Sequence, residues 1–320
     1  MRVSALGYGT MSFGGDADEQ TSEELYRSCR EAGVTLFDSA DVYQQGRSEE
    51  ILGRLMAAER DQLVIASKVY FPVGEGPNDR GSSRYHIVRA AEASLRRLNT
   101  DRIDIYYLHR FDEVTAIEES LRALDILVRQ GKIIYPALSN FAAWQVEKAL
   151  GVSLREHWAP PVAIQPMYNL VKRQAESEIL PMAEANGLGV ISYSPLGGGL
   201  LSGKYGRSDR PDSGRLVDNK MYMTRYAEAQ VYETAERFRE LAAAWGHHPV
   251  SLAVAWVSAH PAVTAPLIGA RSVGQLEPAL AAAEISLSAE QRAEISALSP
   301  EPAPATDRSE EGTPHVFGRR

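Results

Sequence analysis

The apolar and polar positions of this chain repeat one unit: a segment of helical period ending in glycine, then a short apolar run. Leu25, Cys29 and Ala32 share a helical face, Gly33 ends that segment, and Val34 to Phe37 reads as a strand. Ile117, Leu121, Leu124 and Val128 repeat the arrangement ahead of Gly131 and Lys132 to Tyr135. Glu184 to Asn186 lead into Gly187, and Leu188 to Ser192 follows. Glycine suits these junctions because a helix commonly closes on a left-handed residue, which glycine adopts without a Cβ clash. Val3 to Leu6, Leu63 to Ala66, Ile103 to Leu108, Val162 to Ile164 and Val263 to Ile268 bring the predicted strands to eight. These runs are apolar on both sides, as in a parallel sheet covered by helices. Other helical faces carry Ile87, Ala91, Leu95 and Leu98, then Phe238, Leu241, Ala242 and Trp245, then Val273, Leu276 and Leu280.

Strict alternation predicts right-handed βαβ units, and eight of them favour a closed (β/α)8 TIM barrel over an open sheet. The length of 320 residues suits such a barrel, which needs about 250 before insertions. The expected organisation is one barrel over 1–298 and a polar tail over 299–320, with a local contact through Val316 and Phe317. Gly197 to Tyr226 breaks the alternation and is rich in Gly, Ser, Asp and Arg. A polar segment of that length in a compact domain is expected to be a lid or binding loop.

Composition narrows the function classes. The net charge of −8 comes without a block of like charge, which argues against an obligate nucleic-acid binder with a basic face. Cys29 is the single cysteine, so no internal disulfide and no Cys-rich metal framework is expected. Met1-Arg2-Val3-Ser4 lacks the apolar run of a signal peptide, and no stretch of about 18 apolar residues suggests a membrane span. A cytoplasmic protein is the expectation. Gly197-Gly198-Gly199 does not continue as a dinucleotide fingerprint, because the third glycine position falls on Ser202. His247-His248 lacks the partner spacing of a zinc site, so no metal is expected.

The chemistry-bearing residues follow the predicted strands. Asp38 and Tyr43 follow the second, Lys68 the third and His109 the fourth. Ser139 and Asn140 follow the fifth, Gln165 the sixth, Tyr193 and Ser194 the seventh, and Gly269 and Arg271 the eighth. Each alone has an ordinary explanation: a turn cap for Asp38, a snorkelling stem for Lys68, a packed ring for Tyr43. Together they define one rim, and α/β barrels keep their active sites at the C-terminal ends of the strands. A phenol with a pKa near ~10 is a poor acid at neutral pH. A neighbouring Lys68 ammonium is expected to lower it, with Asp38 balancing the charge. His109 is placed to bind a carbonyl oxygen.

Leu36 to Tyr43 with Gly46, Ser48 and Glu49 resembles an aldo-keto reductase signature. So do Leu138 to Phe141, Gln165 to Asn169, Tyr193 to Leu196, Leu200 to Tyr205 and Ile268 to Ser272, in the family's order. The resemblance runs from about Val3 to Leu280 and is nearest to the aryl-alcohol dehydrogenase and potassium-channel β-subunit branch. It implies an NADPH-dependent reductase of aldehydes or ketones with an Asp38, Tyr43, Lys68 and His109 tetrad, Tyr43 being the proton donor. It implies that Ser139, Asn140 and Gln165 hold the carboxamide of NADPH and that Tyr193 stacks on the nicotinamide. Ser194, Leu196, Gly198 and Lys204 would follow the pyrophosphate, and Arg271 would meet the 2′-phosphate. Gly9, Thr10, Met11, Gly269 and Gln275 would complete the cofactor wall. Phe13, Tyr70 and Phe71 are expected to line the substrate pocket.

Two departures stand out: Ala279 replaces an Asn often found near the adenine, and no hairpin plugging the barrel floor is evident ahead of the first strand. The substrate is not legible; aryl aldehydes suit the aromatic wall, and a nucleotide-linked keto-sugar of a bacterial secondary-metabolite pathway is the alternative. A different class, a cofactor-binding regulatory subunit on the same fold, would keep the same tetrad. A phosphate-binding isomerase or aldolase barrel that uses no nicotinamide is a more distant reading.

Overall fold

The computed structural model describes residues 1–207 and 211–306. Among them, eight parallel strands close into a barrel in chain order. They are β1 (Gly7–Gly9), β2 (Leu36–Asp38), β3 (Val64–Val69), β4 (Ile103–Leu108), β5 (Ile133–Ser139), β6 (Ala163–Gln165), β7 (Gly189–Ser192) and β8 (Ala265–Ile268). The first six crossovers carry α1 (Glu19–Glu31), α2 (Arg47–Met56), α3 (Arg84–Leu98), α4 (Ile117–Arg129), α5 (Ala143–Glu156) and α6 (Ile179–Ala185). The seventh carries α7 (Arg215–Asp218), α8 (Lys220–Arg225), α9 (Ala229–Ala244) and α10 (Pro249–Ser258). After β8 come α11 (Val273–Leu280) and α12 (Ala289–Ser296).

The closed (β/α)8 barrel agrees with the expectation, while several boundaries move. The first strand is Gly7–Gly9, not Val3 to Leu6. An apolar-run reading passes over glycines, yet a Cβ on Gly7 would lie 2.7 Å from Leu267 and 2.8 Å from Leu36. Only glycine lets these two inward-facing leucines approach the first strand. Val3 to Leu6 instead form the approach to the barrel. There Ser4 and Thr35 exchange backbone-to-hydroxyl hydrogen bonds of 3.0 and 2.9 Å. Val3 and Val162, both ahead of strand starts, pack beneath the inner cluster and close its floor.

Helix ends follow the glycine rule at Gly33, Gly131 and Gly187, with φ of 78°, 71° and 63°. At α3 and α5 the left-handed position is filled by Asn99 and His157. Helix α10 escapes a periodicity reading because Val250 to Val257 are buried on every side. Gly197 to Tyr226 is not an open loop. It contains a tight turn over Gly197–Ser202 and then α7 and α8. The start of the expected tail is pinned to the barrel, since Ser177 Oγ donates to the carbonyl of Ala303 at 2.8 Å. Val316 and Phe317 lie outside the described residues. No helix among the described residues is long and apolar enough to cross a membrane.

The core has two layers. Leu36, Ala66, Ile105, Tyr107, Ala137, Ala163, Ile191 and Leu267 fill the inside of the barrel, and a larger cluster lies between strands and helices. Side chains alternate along a strand. The residues two positions beyond this inner layer therefore also face the barrel axis, one step nearer the C-terminal rim. They are Asp38, Lys68, His109, Ser139, Gln165, Tyr193 and Gly269. The polar set is thus the topmost layer of the barrel interior.

Candidate active site

Lys68 is fully buried at the end of β3, a position that requires its charge to be matched. Its ammonium donates to Asp38 Oδ1, to the Ser39 carbonyl at 2.7 Å and to the Tyr43 hydroxyl at 3.3 Å. All three protons are placed, and the carboxylate and phenol hold its pKa above the ordinary lysine value although burial alone would lower it. Gln165 Nε2 donates to the other oxygen of Asp38 at 2.8 Å. Asp38 is therefore fixed from both sides.

Tyr43 opens a turn in which Gln44 and Gln45 are left-handed, with φ of 48° and 57°, and Gly46 has φ of 91°. A Cβ on Gly46 would meet Arg97 at 2.6 Å. Lys68 pulls the Tyr43 pKa down, as expected, but the net direction is upward. Burial raises the phenol above its ordinary value, and the Lys68 ammonium offsets this only in part. Tyr43 consequently holds its proton at neutral pH.

His109 follows β4, its ring edge-on to Tyr43 at 6.1 Å and to Phe71 at 4.8 Å. Burial and the Lys68 charge push its pKa well below the usual histidine value, so it is neutral. Asn140 sits at φ 57°, a conformation costly for a residue with a Cβ and often kept where a site requires it. Its Nδ2 donates to the His109 carbonyl at 2.9 Å, and its Oδ1 accepts from the Tyr193 hydroxyl at 2.7 Å. Ser139 Oγ donates to the Gln165 carbonyl at 3.0 Å. Ser194 is also left-handed, at φ 58°, and its carbonyl accepts from Asn169.

These groups open onto a cavity of about 1090 Å³, at the top of the ~300–1,000 Å³ range of ligand pockets. Gly9, Met11, Asp38, Tyr43, His109, Ser139, Asn140, Gln165, Tyr193 and Ser194 line it. Leu196, Gly198, Lys204, Gly269, Arg271, Gln275 and Phe71 line it as well. The Arg271 amide, just ahead of α11, donates to Gln275 Oε1 at 3.2 Å. Ala279 is 2% exposed on the same wall.

Three expected residues are placed elsewhere. Phe13 is fully buried in the outer core with its ring 5.6 Å from Tyr8, so it does not line the pocket. Thr10 is fully buried too, its hydroxyl bonded to the Asp38 main-chain carbonyl at 3.2 Å and to Ser48 at 2.8 Å. Tyr70 stands behind Phe71, edge-on at 5.3 Å, outside the cavity wall. In each case the apolar or polar character was legible, and the direction of the side chain was not.

Sequence reasoning missed Arg110, Arg215, Tyr222 and Arg225, which line the same cavity. The ring of Tyr222 lies over Gly198, where a Cβ would approach within 2.7 Å, and the guanidiniums of Arg215 and Arg225 lie 5.6 and 5.2 Å from that ring. It also missed the support beneath the tetrad. Glu49 is fully buried and accepts from Ser67 Oγ and from Arg97 Nε at 2.8 Å. Burial, reinforced by Glu49, pushes the Asp41 carboxyl up to about 8.

The family model of the aldo/keto reductase family matches residues 5–300. The chain belongs to that family. It is 39% identical over 301 residues to the uncharacterized oxidoreductase YrpG of Bacillus subtilis (strain 168), covering 91% of this chain and 90% of that one. It is 36% identical over 283 residues to a probable voltage-gated potassium channel subunit beta of Oryza sativa subsp. japonica, covering 86% of each. A protein of Arabidopsis thaliana with the same description is 35% identical over 292 residues, 89% of each chain. Membership of the aldo/keto reductase family supports oxidoreductase chemistry with a nicotinamide cofactor. The site suits such a ligand: it offers a large cavity whose wall includes the left-handed glycines Gly198 and Gly199 and the cations Lys204 and Arg271.

Proposed function

We propose that this protein reduces an aldehyde or ketone to an alcohol with NADPH, Tyr43 donating the proton. The observation that carries the reading is the buried Lys68 ammonium donating to Asp38, to the Ser39 carbonyl and to the Tyr43 hydroxyl, with the His109 ring edge-on to Tyr43. When bound, the nicotinamide supplies a hydride to the carbonyl carbon. Tyr43 Oη gives its proton to the carbonyl oxygen as charge grows there. The Lys68 ammonium stabilises the phenolate left behind, and Asp38 keeps that ammonium charged and in place. Neutral His109 orients the carbonyl oxygen by hydrogen bonding without competing as an acid. Ser139, Asn140 and Gln165 would hold the carboxamide, Tyr193 would stack on the ring, and Ser194, Leu196, Gly198 and Lys204 would hold the pyrophosphate.

Arg271 is assigned to the 2′-phosphate, because a guanidinium fork suits phosphate and the nearby start of α11 adds a favourable dipole. The test is a fluorescence titration of wild type and Arg271→Ala with NADPH and NADH. Wild type is expected to prefer NADPH, and the variant to lose most of that preference. Equal affinity of wild type for both cofactors would remove the NADPH assignment. A second reading, a cofactor-binding subunit that serves a partner protein, draws on the similarity to the rice and Arabidopsis sequences. Multiple turnovers with a carbonyl substrate would favour the reductase, and tight NADPH binding without turnover would favour the subunit.

A further inference from the structure

Five basic side chains reach the cavity wall, Arg110, Lys204, Arg215, Arg225 and Arg271, against the acidic Asp38 and Asp212. Asp38 is committed to Lys68. Four of the five cations come from the segments after β7 and β8, the side assigned above to the cofactor phosphates. Arg110 does not. It directly follows His109 after β4, and in a barrel closed in the order β1 to β8 that strand stands opposite β8. Arg110 therefore belongs to the side of the mouth opposite the segment that carries Arg271, and His109, its neighbour in sequence, lines the same cavity.

Among the described residues nothing neutralises it. The adjacent Asp112 is taken up by backbone donors, accepting from Ser82 at 2.8 Å, Val114 at 3.0 Å and Thr115 at 3.4 Å. Arg110 makes no hydrogen bond or ion pair among the described residues. An exposed, uncommitted guanidinium on the wall of the cavity that Tyr43 and His109 also line suits a ligand anion, which it can hold through two parallel hydrogen bonds.

We propose that Arg110 binds an anionic group, a carboxylate or a phosphate, carried by the carbonyl substrate, and so selects charged over neutral aldehydes and ketones. This rests on the reductase reading. Two matched pairs separate the sources of the anion: 4-carboxybenzaldehyde against benzaldehyde, and glyceraldehyde 3-phosphate against glyceraldehyde. A hydrogen-bonded charge pair predicts a preference in kcat/KM of about tenfold or more for the charged member of at least one pair. A preference confined to one pair names the anion. The ratio is expected to fall close to one in Arg110→Met and to be partly kept in Arg110→Lys, which retains charge but loses the fork. A wild-type ratio near one in both pairs, or a ratio equal in wild type and Arg110→Met, overturns the proposal.

Reduction of none of the four aldehydes would count against the reductase reading, and the anion site is then read from binding alone. Thermal shifts with 4-carboxybenzyl alcohol and benzyl alcohol, and with glycerol 3-phosphate and glycerol, give that readout. A larger shift for a charged ligand that disappears in Arg110→Met supports the site. Equal shifts for charged and neutral ligands reject it.

Discussion

At the scale of single residues, the site is a set of charges whose burial decides their protonation. Tyr43 sits against an ammonium yet stays protonated, because its desolvation outweighs the attraction of Lys68 for a phenolate. Replacing Tyr43 with Phe is expected to lower kcat for carbonyl reduction by ~10²–10⁴, the usual contribution of a positioned general acid. An effect below about threefold on the same scale would reassign the proton donor. Asp41 makes the complementary case. Its carboxyl, ordinarily near 3.8, is pushed up to about 8 by burial beside Glu49, with Arg97 and Lys68 offsetting this in part. Below about pH 4 folded and unfolded chains both hold this proton. Between there and about 8 only the folded chain does, so the stabilisation present at low pH is lost by up to ~1.4 kcal/mol per pH unit. Asp41→Asn removes that loss. Its melting temperature relative to wild type should therefore be higher at pH 8 than at pH 5, and the same difference at both pH values would contradict the assignment.

At the scale of elements, the strand-to-helix junctions carry the candidate site. The turn after β7 is built from left-handed glycines, and α8 lays Tyr222 directly over Gly198. Gly198→Ala brings together a left-handed alanine and a Cβ 2.7 Å from the Tyr222 ring, displacing α8 from the proposed cofactor wall. The NADPH dissociation constant is expected to rise by about tenfold, or ~1.4 kcal/mol. Gly33→Ala is the control, since Gly33 has φ of 78° but no atom within 4 Å of an added Cβ. It should cost stability and leave NADPH affinity as it was; equal affinity losses in the two variants would show that only backbone strain had been measured.

At the scale of the molecule, the barrel interior is stacked in layers and the candidate active site is its top layer. Apolar side chains below hold the strands in register, and the polar residues two positions on then converge without further device. The first strand contributes glycine where its neighbours contribute leucine. Gly7→Val should destabilise by about 1–3 kcal/mol through overpacking against Leu267 and Leu36. Gly9→Ala, whose Cβ would come no closer than 3.7 Å to the Ile268 carbonyl, should be tolerated. Urea unfolding of the two variants checks this, and a tolerated Gly7→Val would mean that the interior adjusts more freely than its packing implies.

The alternation of helical faces and apolar runs was enough to read eight βα units and a closed barrel, because burying a parallel sheet under helices demands that pattern. The reactive rim was legible for the same reason: a polar residue straight after a buried strand sits at the strand's end whatever the fold around it. Side-chain direction was not legible. Phe13 and Phe71 are alike in sequence, yet one packs against Tyr8 in the outer core and the other stands over His109. The sign of the Tyr43 shift depended on burial, which a neighbouring lysine in the sequence does not report. The pairing of Glu49 with Arg97 and the place of Tyr222 over Gly198 are long-range relations. They arise only when the closed barrel brings distant segments to one mouth, and that closure is what the tertiary structure decided.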